Sequence, residues 1–350
     1  ADGCTALGSG ERAAARLTPS LRPWIEAQGH TSPALGRDIG ARAAFAFRKD
    51  QEMTDITLLD GSIGQEIVKR SGDRATHLWS TAVMMDKPDV VGDVHADYYR
   101  VGATIATANT YAVHRDRLVK VGLEDKVSEL VETALTQAER AREMHGAGRI
   151  AGALGPLGAS YRPDISPSVE VAAPVFAELV EMMGARVDLI LIETVSSVMQ
   201  ARATLTGCAD ADVPVWLSVS VDDDDGTILR SGEPLSALAP VLAEFKPDAL
   251  LINCSRPEAV SVGVPHIAAL GLPFGAYANG FTRISEGFLQ DSPTVDALEQ
   301  RVDLGPEAYA DFAMAWVEGG ATIVGGCCEV GPDHIAELAR RLRAAGHTIV

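Results

Sequence analysis

Between residues 56 and 325, short apolar runs alternate with amphipathic stretches eight times, and that alternation is what most constrains the fold. The runs occupy 56–61, 104–110, 150–154, 189–194, 215–220, 249–253, 274–279 and 322–325. Each is too short for a helix and apolar on successive residues, the pattern of a strand covered on both faces. The intervening stretches carry helical spacing. Val127, Leu130, Val131, Ala134, Leu135 and Ala138 recur every three or four residues and predict a helix over about 123–145. Helices are likewise expected over 63–70, 88–101, 168–183, from a cap at Ser196 or Ser197 to 205, and over 234–245, 257–270, 306–318 and 333–345. Buried parallel strands joined by helical crossovers make either a (β/α)8 TIM barrel or an open doubly wound sheet. Eight units, with no G-x-G-x-x-G after the first run, point to the α/β barrel as a single domain.

Residues 1–52 break the pattern. They are rich in Ala, Arg and Gly and show no sustained period. Seven basic residues nearly balance six acidic ones, although the whole chain carries −18. The segment has no continuous apolar stretch of the secretory kind, and Met53 stands just before the first strand. The expected division is therefore an N-terminal extension, 1–52, outside the catalytic domain, and a barrel, 53–350. The extension reads as an upstream translation product, a transit peptide, or a docking arm anchored by Trp24.

The strong negative charge excludes a nucleic-acid partner, which needs a basic face. No apolar run approaches the ~20 residues that span a bilayer, so no membrane partner is expected. Five cysteines, an odd number in a long chain, do not make a secreted disulfide scaffold. A cytoplasmic, reducing setting follows, in which thiols serve as ligands, nucleophiles or core residues.

A barrel places its chemistry at the carboxyl ends of its strands. Asp60, Asn109, Glu193, Asn253, Cys254, Asn279, Cys327 and Cys328 all fall there. Runs six, seven and eight are barrel neighbours, so Cys254 and the pair Cys327-Cys328 are expected to converge. Three thiolates suit Zn2+, which is soft enough for sulfur and leaves a fourth tetrahedral position open to a substrate thiol. Such a thiol is held deprotonated near neutral pH and ready for alkylation. Adjacent side chains on a regular strand point apart; Gly325-Gly326 is expected to relax that limit through unusual backbone angles.

Asp60-Gly61, Asn109-Thr110-Tyr111, Gly155-Pro156-Leu157-Gly158, Glu193-Thr194, Ile252-Asn253-Cys254, and Gly325-Gly326-Cys327-Cys328 followed by Pro332-x-His334-Ile335 together resemble the homocysteine S-methyltransferase family. That family includes betaine– and S-methylmethionine–homocysteine methyltransferases and the homocysteine module of cobalamin-dependent methionine synthase. The resemblance spans about 54–345. It implies a zinc-dependent methyltransferase of methionine biosynthesis, with metal ligands Cys254, Cys327 and Cys328 and no catalytic side chain beyond them. It implies that Glu193 and the Asp60-Gly61 turn hold the amino-acid end of homocysteine, and that Asn279 lies near the metal as a temporary ligand. Asn109 and Tyr111 complete the expected substrate contacts.

The implied reaction is displacement at a methyl group of a sulfonium or quaternary ammonium donor: S-methylmethionine or S-adenosylmethionine first, betaine second. Aromatic faces would receive the cation, with Tyr111 ahead of Tyr161, Trp216 and Tyr277. The chain departs from the family's usual pattern at Glu329-Val330-Gly331, at Tyr277-Ala278-Asn279-Gly280 and over 280–304, which leaves the donor open. The partners expected are homocysteine and a small methyl donor, with a separate corrinoid protein as an alternative methyl source and a homo-oligomer allowed. A non-catalytic zinc-binding barrel is the reading from another class, and Glu193 and Asp60 argue against it.

Other residues read as structural. Cys208 is a helix-end thiol, Cys4 lies in the extension, and His334 packs at a helix start. Asp222 to Asp225 form a solvated turn, and the Met84-Met85 and Met182-Met183 pairs fill core.

Overall fold

The runs become strands β1 (Asp55–Leu58), β2 (Ile105–Thr107), β3 (Arg149–Leu154), β4 (Leu189–Val195), β5 (Val215–Val219), β6 (Ala249–Asn253), β7 (Phe274–Tyr277) and β8 (Ile323–Val324), with a ninth, β9 (Thr348–Ile349), that the sequence did not suggest. The computed structural model describes residues 54–72, 78, 80–285, 289 and 298–350. The 1–52 extension, with Cys4 and Trp24, and much of the 280–304 insertion lie outside the described residues.

All the ladders are parallel, in the order β2-β3-β4-β5-β6-β7-β8-β1. A bridge between Leu59 and Ile105 closes β1 onto β2. The short β9 pairs with Asp55 and Ile56 at the amino end of β1, and Thr104 Oγ1 donates to the Val350 carbonyl at 2.6 Å. The described residues thus form the expected (β/α)8 barrel.

Helices α1 (Ile63–Ser71), α2 (Ser80–Asp86), α3 (Pro88–Val101), α4 (Arg115–Leu118), α5 (Val127–His145), α6 (Val169–Met183), α7 (Val198–Gly207), α8 (Ala239–Phe245), α9 (Pro257–Ala268), α10 (Pro306–Glu318) and α11 (Pro332–Ala344) surround it. Their apolar stripes face the strands; in α5 the buried residues include every one of the six whose spacing predicted the helix. Ser197, not Ser196, caps α7, its Oγ accepting from Gln200 N. The short α2 and α4 have no periodic stripe long enough to read in the sequence.

Two faces of the strands make two cores. Leu59, Ile105, Ala151, Leu189, Leu191, Trp216, Leu251, Tyr277 and Ile323 fill the inside of the barrel, and the alternate residues pack under the helices. Side chains two apart on a strand share a face. Glu193, next in step after Leu189 and Leu191, therefore leaves the interior at the barrel mouth.

Candidate active site

Strands β6 and β8 bring the cysteines together. Cys254 follows β6 with φ 48°, a left-handed conformation that turns its side chain away from the strand's alternation. After β8, Gly325 and Gly326 are required for close approach, not for unusual angles as the sequence suggests. Neither has a positive φ, but a Cβ on Gly325 would lie 2.5 Å from Leu59 Cβ, and one on Gly326 would lie 2.2 Å from Val330 Cγ1. The segment is held to its neighbours through the backbone. Gly326 N donates to the Asp60 carbonyl (2.9 Å), Cys327 N to Ala278 O (2.9 Å), and Gly280 N to Cys328 O (2.8 Å). Tyr309 Oη donates to the Gly325 carbonyl from α10.

The sulfurs of Cys254, Cys327 and Cys328 all lie within 4.8 Å of one another. A tetrahedral zinc with ligands at ~2.3 Å needs sulfurs about 3.8 Å apart, so the donor set and its spacing fit that ion after small adjustments. Here Cys254 and Cys327 are joined as a disulfide, with their Cα atoms 5.8 Å apart, and Cys328 is a free thiol. The sequence gives no sign of this bond. Sulfurs brought close enough to share one cation are close enough to bond to each other. Burial pushes the Cys328 thiol up to about 12, with Glu329 and Glu193 adding to the effect. A thiolate there requires positive charge beside it.

The sulfurs share a cavity of about 110 Å³ with Asp60, Gly61, Asn109, Tyr111, Tyr161, Glu193 and Tyr277. Asp60 is buried, and burial raises its carboxyl to about 7 despite hydrogen bonds from Thr107 N (2.6 Å) and Thr107 Oγ1 (2.8 Å). Glu193 is raised to about 8, by burial first and then by the charge of Asp60; the hydrogen bond from Tyr277 opposes the rise. Two carboxyls held above their ordinary range in one cavity would be returned to their charged form by a cationic partner beside them.

Gly61 leads into α1, whose N-cap residue, Ser62, does not cap it. Ser62 Oγ donates instead to Gln65 Oε1 at 2.8 Å. The first turn of α1, Ile63 to Gln65, lines the cavity, and its N–H groups have no intrahelical acceptor.

The expected residues meet different fates. Asn109 lines the cavity with its Oδ1 accepting from Ser80 Oγ (2.7 Å). Tyr111 lines it too, its hydroxyl 2.7 Å from Ser160 Oγ and its ring beneath Arg117 at 5.5 Å. Asn279 is buried outside the cavity lining, with its Oδ1 taken by Phe281 N (3.1 Å) and its backbone N–H by Ser255 O. Trp216 does not reach the mouth. It lies in the barrel interior with Arg149 6.0 Å over its ring, because it stands near the start of β5. Within the acidic turn, Asp222 Oδ1 accepts from the N–H groups of Asp224 and Asp225, but Asp223 is buried against Arg230 at 2.8 Å. Arg230 also lies 4.8 Å over Tyr161.

Gln65 lines the cavity with no signal in the sequence, and the pairing of Asn253 with Thr194 had none either. Gln65 Oε1 accepts from Glu329 N (2.7 Å), and its Nε2 donates to Glu329 Oε1 (2.6 Å), tying α1 to the residue after the cysteine pair. Asn253 Oδ1 accepts from Thr194 N (2.9 Å), and its Nδ2 donates to Thr194 Oγ1 (3.3 Å). That clamp holds Thr194 at φ 61°, a costly angle for a β-branched residue. Cys208 is buried and raised to about 12, the inert thiol expected. His334 Nε2 sits 3.1 Å from Leu304 O, a packing role as expected. No helix among the described residues is long and apolar enough to cross a membrane.

Residues 57–342 match the family model described as homocysteine S-methyltransferase. The homocysteine S-methyltransferase of Escherichia coli (strain K12) is 30% identical over 82% of this chain and 95% of its own length. Homocysteine S-methyltransferase YbgG of Bacillus subtilis (strain 168) is 26% identical over 83% and 95%. Crystal structures of the homocysteine methyltransferase MmuM from Escherichia coli, in metallated and oxidised forms, are 28% identical. They superpose with TM-scores of 0.69 and 0.70 over 82% of this chain and 96% of theirs.

Proposed function

This chain belongs to the homocysteine S-methyltransferase family and is a methyltransferase acting on homocysteine, and from that premise we propose that it makes methionine with zinc held by Cys254, Cys327 and Cys328. The observation that carries the reading is the convergence of three sulfurs in the wall of a cavity that also presents Asp60 and Glu193. When bound, zinc supplies the positive charge that keeps a substrate thiol deprotonated near neutral pH.

The chain's own residues do the rest. Glu193 receives the homocysteine ammonium, with the Asp60 carboxyl in the wall of the same cavity. The uncapped first turn of α1 receives the carboxylate, where N–H groups and the helix dipole favour an anion. Anchoring both ends fixes the sulfur's approach and removes much of the entropy cost of alignment. The sulfur lone pair forms the new S–CH3 bond while the donor's C–S or C–N pair leaves with a neutral thioether or amine. The donor proposed is S-methylmethionine or S-adenosylmethionine, with betaine next; Tyr111 and Tyr161 offer aromatic faces on the cavity wall. Asn109 supports this wall through Ser80. Asn279 supports the cysteine segments through its turn, and we assign it no ligand role. Every site residue named here falls within residues 53–350.

The test is elemental analysis of reduced wild type and Cys327→Ser, with homocysteine methylation assayed against a panel of onium donors. About one zinc per chain, lost in the variant along with turnover, is expected for a three-thiolate site. Reduced wild type without metal overturns the zinc assignment. Metal with no turnover on any onium donor shifts the methyl source to a corrinoid protein.

A further inference from the structure

Glu193 and Asp60 are held very differently. Both Asp60 oxygens are taken, by Thr107 N and Thr107 Oγ1. Glu193 has one hydrogen bond among the described residues, from Tyr277 Oη to Oε1 at 3.1 Å. Tyr277 itself cannot move far. It ends β7 in register with Asn253, is 2% exposed, and packs in the barrel interior with Leu191, Leu251 and Ile323. Its hydroxyl is a dependable donor, because burial keeps the phenol protonated well above its ordinary range. A rigid O–H on Oε1 fixes the carboxyl plane and leaves Oε2 for a second partner. The sequence reading made Tyr277 an aromatic face for the methyl donor, but the geometry gives its hydroxyl to Glu193.

We propose that Tyr277 is the positioning residue that aims Glu193 at the substrate ammonium, so that this enzyme's preference for an amino-acid thiol depends on the Tyr277 hydroxyl. The proposal rests on the reading of Glu193 as the ammonium acceptor. A hydrogen bond to a charged group is among the stronger ones in a protein, so losing it is expected to weaken binding about tenfold or more. The loss should be confined to ligands that carry the ammonium.

The experiment is calorimetric titration of the reduced, metal-loaded enzyme with homocysteine and with 4-mercaptobutanoate, which has the thiol and the carboxylate but no amino group. Wild type, Tyr277→Phe, Glu193→Asp and Glu193→Gln are compared. Tyr277→Phe keeps the ring and removes only the hydroxyl. It is expected to lose about tenfold for homocysteine and to stay within about twofold for 4-mercaptobutanoate. Glu193→Asp leaves the phenol untouched and draws the carboxylate away from it, so the same selective loss is expected. Equal losses for both thiols in Tyr277→Phe mark a merely structural tyrosine and overturn the proposal. So does a loss in Glu193→Gln with none in Tyr277→Phe. If Glu193→Gln binds homocysteine as wild type does, the ammonium reading fails and takes the proposal with it.

Discussion

At the amino end of the barrel, the Arg149 guanidinium lies over Trp216 and donates to Thr57 Oγ1 at 3.2 Å. The Arg149 carbonyl accepts from Tyr99 Oη at 2.7 Å, and β9 pairs along β1. Every one of those groups finds its partner inside the fold. The carboxyl end is different. Of the five non-glycine residues with positive φ among the described residues, Tyr161, Thr194, Cys254 and Glu329 lie there, and the fifth, Lys246, merely ends α8. At the same end Asp60 is buried and Glu193 half-buried, against the preference of a carboxylate for water. The difference shows where this chain has given up stability: strain and uncompensated charge collect where a substrate supplies what is missing.

The comparison can be broken hardest at the clamp on Thr194. Asn253→Ala strands the buried Thr194 N–H and frees a strained residue next to Glu193. We expect a loss of roughly 2–4 kcal/mol in urea unfolding, from the unsatisfied donor and the space left behind, together with weaker homocysteine binding. Unchanged affinity despite the lost stability would show that the strained turn does not serve Glu193.

A smaller effect tests the charge. The Glu193 carboxyl rises from an ordinary 4.5 to about 8 in the folded chain. Between those values the folded state holds a proton that the unfolded chain has released, so this residue's contribution to stability falls as pH rises across the window. Glu193→Gln removes that dependence and keeps an acceptor for Tyr277. Its melting temperature should exceed that of wild type increasingly from pH 5 to pH 9. The gain is about 1–2 kcal/mol at the top, moderated because cavity water screens a half-buried carboxylate. Parallel melting curves across this range would contradict the penalty assigned to burial.

The smallest effect belongs to the amino end. Arg149→Met keeps a long apolar stem over Trp216 and loses one side-chain hydrogen bond and a cation–aromatic contact. About 1 kcal/mol of stability should go, with homocysteine affinity untouched. A change in affinity would mean that the two ends are coupled through the interior.

Much of this was legible in the residues. Parallel strands buried on both faces must be apolar, so eight runs announced the barrel, and the six spaced apolar residues of α5 announced its helix. Cys254, Cys327, Asp60 and Glu193 were readable as mouth residues because a strand's end is a local property. Trp216 was misplaced because position along a strand, not membership of one, decides which end of the barrel a side chain reaches. Gln65, Thr107 and the Asn253–Thr194 clamp were invisible because each meets its partner across strands or loops far apart in sequence.

The sequence by itself determined the alternation, the strand ends and the kinds of chemistry placed on them, since periodicity and turn chemistry act over a few residues. Only the tertiary structure decided how the expected convergence of the three sulfurs is built, that glycines 325 and 326 are there for close approach, and that a tyrosine hydroxyl belongs to Glu193. Those outcomes depend on register and closure around eight strands, where a shift of one residue would send each of these side chains to the other face.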